Sequence, residues 1–400
     1  MSRAKQNATG LPLRSQVTCP HCWREFRPYE ILWVSAHPEL AGDPRLGESA
    51  ATRFLPTRFT IDGRAVDVKG VPCQQLACPN CHLLVPRALL EMEPLFLSIL
   101  GAPGSGKSFL LASMTWQSRK TLDKYFRLAF TDADPVTNQM LNGYEEQLFL
   151  NADENSPVAI LKTEQTGDLY ESVTFGERQV FYPKPFVFSI QPHENHPGYL
   201  ARDRLSRALC LYDNAGEHFL PGGDAGPATQ HLALSKVLLF LFDPTQHPKF
   251  RKACQGKTSD PQMGAHGWSH RQDQIILEAA NRIRTFKGLR QGEKYSEPLV
   301  VVTTKFDAWM SLVGGRRLER NWVIRTSGAG VAGLDLPTLQ KLSGQTRSLL
   351  DQFAPEIVSA AEGFSEDVTY IPSSALGHAP DVIPGGLGIR PRDIRPQWAE

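Results

Sequence analysis

Long apolar runs are missing from this sequence. The longest, Val237 to Phe242, falls far short of the roughly 20 residues needed to cross a bilayer. The N-terminal stretch MSRAKQNATGLPLRSQ has no apolar core of the kind a secretory signal carries. An excess of charge of one sign is missing too, since 43 basic residues face 42 acidic ones. No block of about five or more like charges occurs, so no solvating tail is expected. That balance argues against a dedicated nucleic-acid coat or polyanion binder. Internal repeats and low-complexity segments are also lacking. These absences predict a soluble, cytoplasmic protein. A length of 400 residues predicts one large domain with an accessory module.

Cysteine is present, in an odd number of seven, and its spacing is informative. Cys19-Pro-His-Cys22 and Cys78-Pro-Asn-Cys81 are two matched C-P-x-C turns. Each such turn presents two thiolates, and two turns supply the four soft ligands of a tetrahedral structural zinc site. A redox pair is the competing reading, but it calls for one C-x-x-C inside a βαβ unit. The long segment 23–77 between the knuckles implies an insertion within the ribbon, and its RFTIDGRAVDV reads as a hairpin around Asp62-Gly63. Cys73 and His21 lie near enough to be substitute ligands. Cys210 and Cys254 read as an ordinary strand residue and an ordinary loop residue.

After the second knuckle comes PLFLSILGAPGSGKSFLLASM, an apolar strand, a glycine-rich turn and a helix. Gly101, Gly106, Lys107 and Ser108 satisfy G-x-x-x-x-G-K-[ST]. Glycines at 101, 104 and 106 let the backbone wrap phosphate closely, with inward N–H groups from Gly101, Gly104, Ser105, Gly106, Lys107, Ser108 and Phe109. The helix that follows adds its N-terminal dipole. Lys107 is placed to reach the β- and γ-phosphates, and the Ser108 hydroxyl to ligate magnesium.

A magnesium site of this kind needs a second strand ending in Asp, and ALCLYD ends at Asp213. Gly216 completes D-x-x-G, the pattern of a γ-phosphate sensor. Asn214, where many ATPases place a Glu base, weighs against an ATPase. An ordinary Asp-Asn-Ala-Gly turn is the plain alternative. Two further strand ends address the base. EPLVVVTTKFDAW ends in Thr304-Lys305-Phe306-Asp307, and an in-plane Asp307 carboxylate can accept from both N1–H and the 2-amino group of guanine. Lys305 would lay its aliphatic stem over the base. VTYIPSSALGH ends in Ser373-Ser374-Ala375, where a backbone N–H can donate to guanine O6. Open α/β sheets bind ligands at this carboxyl edge of the strands.

Taken in this order, the motifs resemble those of Ras-like P-loop GTPases of the translation-factor-related class. DNAGEHF, KVLLFLFDPTQH and TKFD resemble, more narrowly, the bacterial double-GTPase family of predicted conflict and defence systems. The resemblance implies a three-layer α/β P-loop fold, magnesium-dependent GTP hydrolysis and a switch role beside partner proteins. It places Glu217 where many such GTPases carry a water-orienting Gln, and His218 where translation factors carry a water-orienting His. Lys107, Glu217 and His218 are the catalytic candidates. It also implies a magnesium-binding switch threonine before Asp213. Thr163 is the candidate with Thr166 close behind, and an unremarkable surface Thr is the alternative. Thr304 departs from the usual Asn and Leu376 from the usual Lys. One P-loop is present, so no tandem second G domain is expected. No arginine finger is assignable in cis, so the finger is expected from a partner protein or from a second copy in a homodimer through the G domain.

The remaining segments fit around this frame. YFRLAFTD reads as an extra strand, VTNQMLNGYEEQLF as an extra helix and RQDQIILEAANRIRTF as a helix. Residues 244–270 read as a long polar loop, solvated or else meeting a partner, and the Arg- and Pro-rich end cannot be a regular helix and is expected to lie along the domain or on a partner. The expected domains are a zinc-ribbon module with an inserted segment over 1–92, a P-loop GTPase domain over 93–385 and a tail over 386–400. The rivals to a GTP-hydrolysing switch are a nucleotide-gated module that does not hydrolyse and a P-loop ATPase.

Overall fold

A computed structural model describes residues 11–158, 169–214, 230–258, 260–264, 271–313, 323–325, 330–383 and 386–396. Its main strands are β1 Glu93–Gly101, β2 Leu128–Asp132, β3 Tyr170–Phe175, β4 Arg178–Pro183, β5 Phe186–Pro192, β6 Arg207–Asp213, β7 Val237–Phe242, β8 Leu299–Thr303 and β9 Val368–Pro372. Seven of them form one sheet in the order β9-β8-β7-β1-β6-β5-β2. β7 runs parallel to β1 and β8, with Leu239 opposite both Ile99 and Val300. β9 extends the parallel set, whereas β2 pairs with β5 antiparallel. The unbroken apolar sequence VLLFLF suits the middle of a parallel sheet, where both faces are covered and no alternation is needed. The fold is mixed α/β, as the strand–helix alternation predicts.

The main helices are α1 Lys107–Phe126, α2 Gln139–Phe149, α3 Pro248–Cys254, α4 Gln272–Lys287, α5 Leu336–Phe353 and α6 Pro355–Phe364. α4 buries Ile275, Ile276, Ala279, Ala280 and Ile283, one stripe at helical spacing, and stops where Gly288 takes a left-handed φ of 67°. α5 is capped by Asp335, whose side chain accepts from Thr338 N. Against the β7–β8 side pack Tyr295 and Phe364, with rings stacked at 5.2 Å, and the buried Trp309 and Phe306.

Two expectations change here. The polar stretch 244–270 is not a plain loop, because Pro248–Cys254 is helical and Phe250 is fully buried beside Phe242, Trp309 and Phe353. Phe250 and Cys254 are four residues apart, so one helical turn brings both inward, and Cys254 is a core residue. The extra strand begins later than YFRLAFTD, since Tyr125 and Phe126 finish α1 and Arg127 caps it with φ 52°.

The chain forms two compact units. The first holds the described residues within Met1–Leu95, Leu128–Pro135 and Tyr170–Cys210, and the second those within Phe96–Arg127, Val136–Leu169 and Leu211–Glu400. In the first, the β3–β4 hairpin joins the cysteine-bearing segments. Thr174 N donates to Arg45 O at 2.8 Å, the Arg45 guanidinium lies 4.2 Å from the Phe175 ring centroid, and Trp23 meets Tyr182 edge-on at 6.0 Å. In the second, residues 386–396 lie along their own unit, with Ile389 and Ile394 buried.

Candidate nucleotide and metal sites

The loop between β1 and α1 is shaped by its glycines. A Cβ on Gly101 would lie 2.9 Å from Ser105 Oγ and 3.0 Å from the Leu241 carbonyl oxygen, so only glycine permits this approach. Gly104 and Gly106 have φ of 73° and 91°, the left-handed region that glycine adopts without strain. The buried Lys107 turns back into the loop, its Nζ donating to Gly101 O and Ala102 O at 3.0 Å each. Phe109 belongs to the first turn of α1. Ser108 Oγ donates to Asp213 Oδ2 at 3.4 Å, which brings two hard oxygen ligands side by side at the end of β6. That donor pair suits magnesium, which takes one or two protein oxygens and completes its shell with water and phosphate. Asn214 has a structural task, donating from Nδ2 to Ile99 O at 2.9 Å. The candidates Thr163, Thr166, Gly216, Glu217 and His218 lie outside the described residues.

The loops that end β8 and β9 come together at the same sheet edge. Thr304 N donates to Phe242 O at 2.9 Å and Phe306 N to Ser373 O at 3.0 Å. Lys305 sits at φ 54°, and its Nζ reaches Gly104 O at 3.3 Å. Asp307 accepts from the Ser374 hydroxyl, which is itself held by Gly377 N at 2.8 Å. Burial pushes the Asp307 carboxyl above its ordinary value, against the Ser374 hydrogen bond that pulls it down. Ser113 Oγ donates to Ala375 O at 2.8 Å, tying α1 to this loop.

One cluster went unread in the sequence. Asp243, at the end of β7, is fully buried. Its carboxylate accepts from Lys305 Nζ at 2.6 Å, Thr245 N at 2.9 Å, Thr245 Oγ1 at 2.7 Å and Gln246 Nε2 at 3.1 Å. Gln246 Nε2 also donates to Pro103 O at 2.8 Å, while the Gln272 amide pairs with the Asp243 backbone in both directions. β7 and β6 flank β1, so a strand-ending aspartate stands on each side of the loop. The rule that singled out Asp213, an apolar strand closing on Asp, singles out Asp243 equally.

The four cysteines Cys19, Cys22, Cys78 and Cys81 converge with all four sulfurs within 4.8 Å of one another, and all are buried. Cys19–Cys81 and Cys22–Cys78 are each 3.7 Å apart, far beyond a disulfide bond. A zinc ion about 2.3 Å from each sulfur demands tetrahedron edges of about 3.8 Å, so the cluster fits that metal. The knuckles repeat one geometry. Trp23 N donates to Cys19 O at 3.1 Å and His82 N to Cys78 O at 3.0 Å, with both residues left-handed at φ 55° and 63°. His21 N and Asn80 N point at Cys19 and Cys78 sulfur, at 3.4 and 3.3 Å. The substitute ligands are not used: His21 bonds the carbonyls of Pro183 and Leu84, and Cys73 faces Val71 O.

No family model matches the chain. It is 23% identical over 415 residues to the "Putative ESX-1 scaffolding and assembly protein SaeC" of Mycolicibacterium smegmatis, a likeness covering 94% of this chain and 95% of that protein. Among solved structures it is similar to sup35 complexed with GDP, at 13% identity and a TM-score of 0.24, over 71% of this chain and 38% of that one. It is also similar to Aquifex aeolicus Era bound to GDP.AlF4-, at 15% identity and a TM-score of 0.23, over 72% of this chain and 53% of that one. The chain spans less than two thirds of the length of either solved structure.

Proposed function

We propose that this protein is a guanine-nucleotide-binding switch with a structural zinc module, and that it hydrolyses GTP slowly. The observation that carries the reading is the meeting of five elements at one sheet edge. The glycine-shaped loop with its inward lysine lies between Ser108–Asp213 on one side and Asp307 with Ser374–Ala375 on the other. The loop amides and Lys107 would hold the β- and γ-phosphates, and Asp307 would accept from the guanine edge. Ser108 and Asp213, with Thr163 as the further candidate, would hold magnesium, which supplies charge neutralisation between the phosphates when bound. In hydrolysis a water oxygen bonds to the γ-phosphorus, the bond to the bridging oxygen breaks, and GDP and phosphate leave. Glu217 or His218 would orient that water. A carboxylate cannot donate to the phosphoryl oxygens, so turnover stays slow until a partner or second copy supplies an arginine, an addition worth about 10³–10⁵ in rate.

Competition of GDP, ADP and xanthosine diphosphate against a fluorescent guanine nucleotide tests the base assignment. Wild-type protein should favour GDP, and Asp307→Asn should shift the preference toward xanthosine, because a site built for paired polar contacts discriminates by several kcal/mol. Equal affinity for ADP and GDP in the wild type defeats the guanine reading. Turnover of Glu217→Ala compared with His218→Ala identifies the group that orients water.

A second reading is a nucleotide-gated scaffold that does not hydrolyse. It is favoured by the scaffolding and assembly role that names the Mycolicibacterium relative, whose likeness spans nearly the whole chain. Capture of partners by protein loaded with a non-hydrolysable GTP analogue separates that scaffolding-and-assembly setting from the conflict-system setting implied by the double-GTPase resemblance. Absence of any turnover, with or without the captured partner, would favour the scaffold.

A further inference from the structure

Resting on the guanine reading above, we infer that residues 389–396 form a backbone strap that positions the base-reading loop. The strap is anchored at its near end by a pair of main-chain bonds between Val158 and Ile389, at 2.8 and 2.9 Å. Arg392 N then donates to Glu154 O at 3.1 Å, and Arg392 Nη1 to Asn155 Oδ1 at 2.5 Å. The buried Ile389 and Ile394 hold it down, and a short turn at Pro391–Asp393 directs its end across the loop that follows β9.

There the contact is made by backbone alone. Arg395 N donates to Leu376 O at 2.7 Å. Gly377 has φ 78°, and a Cβ on it would fall 1.7 Å from the Arg395 carbonyl oxygen. No flexible side chain can yield at that point, so the strap occupies the space of any larger residue at position 377. From Gly377 the path to the base is short. Gly377 N holds the Ser374 hydroxyl at 2.8 Å, and that hydroxyl donates to the Asp307 carboxylate. The other flank of the loop is fixed by Ser113 on Ala375 O. Displacing the strap should therefore release Gly377, then Ser374, and leave Asp307 misaligned toward the guanine edge. The phosphate loop is held by other contacts and should keep its grip.

The test compares GDP and ADP affinity in the full chain, Gly377→Ala, Arg395→Pro, Arg395→Ala and a chain ending at Gly388. Gly377→Ala, Arg395→Pro and the truncation should lose GDP preference by about tenfold or more, with ADP affinity unchanged, because small misplacements of binding groups are costly. Arg395→Ala, which keeps the main-chain N–H, should behave as wild type. In an Asp307→Asn background the strap changes should add no further loss of base preference, an outcome that general destabilisation would not produce. Full GDP preference in folded Gly377→Ala and Arg395→Pro overturns the proposal, and so does an equal loss of ADP affinity. If the truncated chain does not fold, the two substitutions decide. A wild-type protein without GDP preference defeats the guanine reading itself and the strap's role with it.

Discussion

The two units reach order by opposite means. Around the cysteines the described strands are as short as two residues, Val17–Thr18 against Glu25–Phe26, and exposed apolar side chains such as Ile61 and Val68 stand on the insertion between the knuckles. In the second unit a strand of six apolar residues runs through the sheet, and a continuous core extends from Leu100 to Tyr370. Segments with such short strands need a staple, and four thiolates around one metal would supply it. The second unit has burial enough to stand without one. Its polar groups can therefore be committed to a site.

The largest test of this contrast is removal of metal. Cys78→Ser, or chelation, should unfold the N-terminal segments around the four cysteines, since structural zinc is worth about 10–16 kcal/mol in small modules. GDP binding should survive, and metal analysis should find one zinc per chain in wild type. Zinc-free protein with a Cys19–Cys22 disulfide would contradict the assignment.

Phe250→Ala reverses the experiment. It should cost about 4 kcal/mol in denaturant unfolding, because it empties a fully enclosed aromatic site. Zinc content should not change. Next in size, Asp243→Ala strips the counter-charge from Lys305 and frees Gln246 from its anchor. Breaking a buried ion pair on one side costs about 3 kcal/mol, and here GDP affinity should fall along with stability. Loss of stability alone would mean that the Asp243 cluster does not brace the loop.

The smallest effect is a pH dependence. Burial raises the folded-state pKa of Asp307 above its unfolded value, with Lys305 and His378 opposing and Asp260 close by. The nucleotide-free protein then binds a proton at this site more readily than the unfolded chain does. This group's contribution to stability grows as pH falls through the raised pKa and shrinks as pH rises above it. The proposed guanine reading requires the ionised form of Asp307, so GDP affinity should weaken on acidification at a higher pH than an ordinary aspartate would give. Asp307→Asn should abolish that pH step, and an unchanged profile would remove Asp307 from the base site.

What was legible in the sequence is what short spacing dictates. A C-P-x-C turn brings its two sulfurs together wherever it folds, and G-x-x-x-x-G-K-S imposes the left-handed glycines and inward lysine seen at Gly104, Gly106 and Lys107. The apolar runs before Asp213, Asp307 and Ser374 were readable as strands without alternation, although β8 stops at Thr303 and β9 at Pro372, and Asp307 lies in a short helix, Phe306–Trp309. Association between distant segments was not legible. Nothing local says that the hairpin 170–183 joins the cysteine unit, that Asp243 neutralises a lysine some sixty residues on, or that Gly377 is a glycine because Arg395 crosses it. Phe250 looked like a loop residue because its partners, Phe242, Trp309 and Phe353, surround it only after α3 has closed onto the sheet. Local backbone rules act within about one turn of chain, whereas burial and main-chain approach depend on the whole fold, and those decided which polar groups face one another.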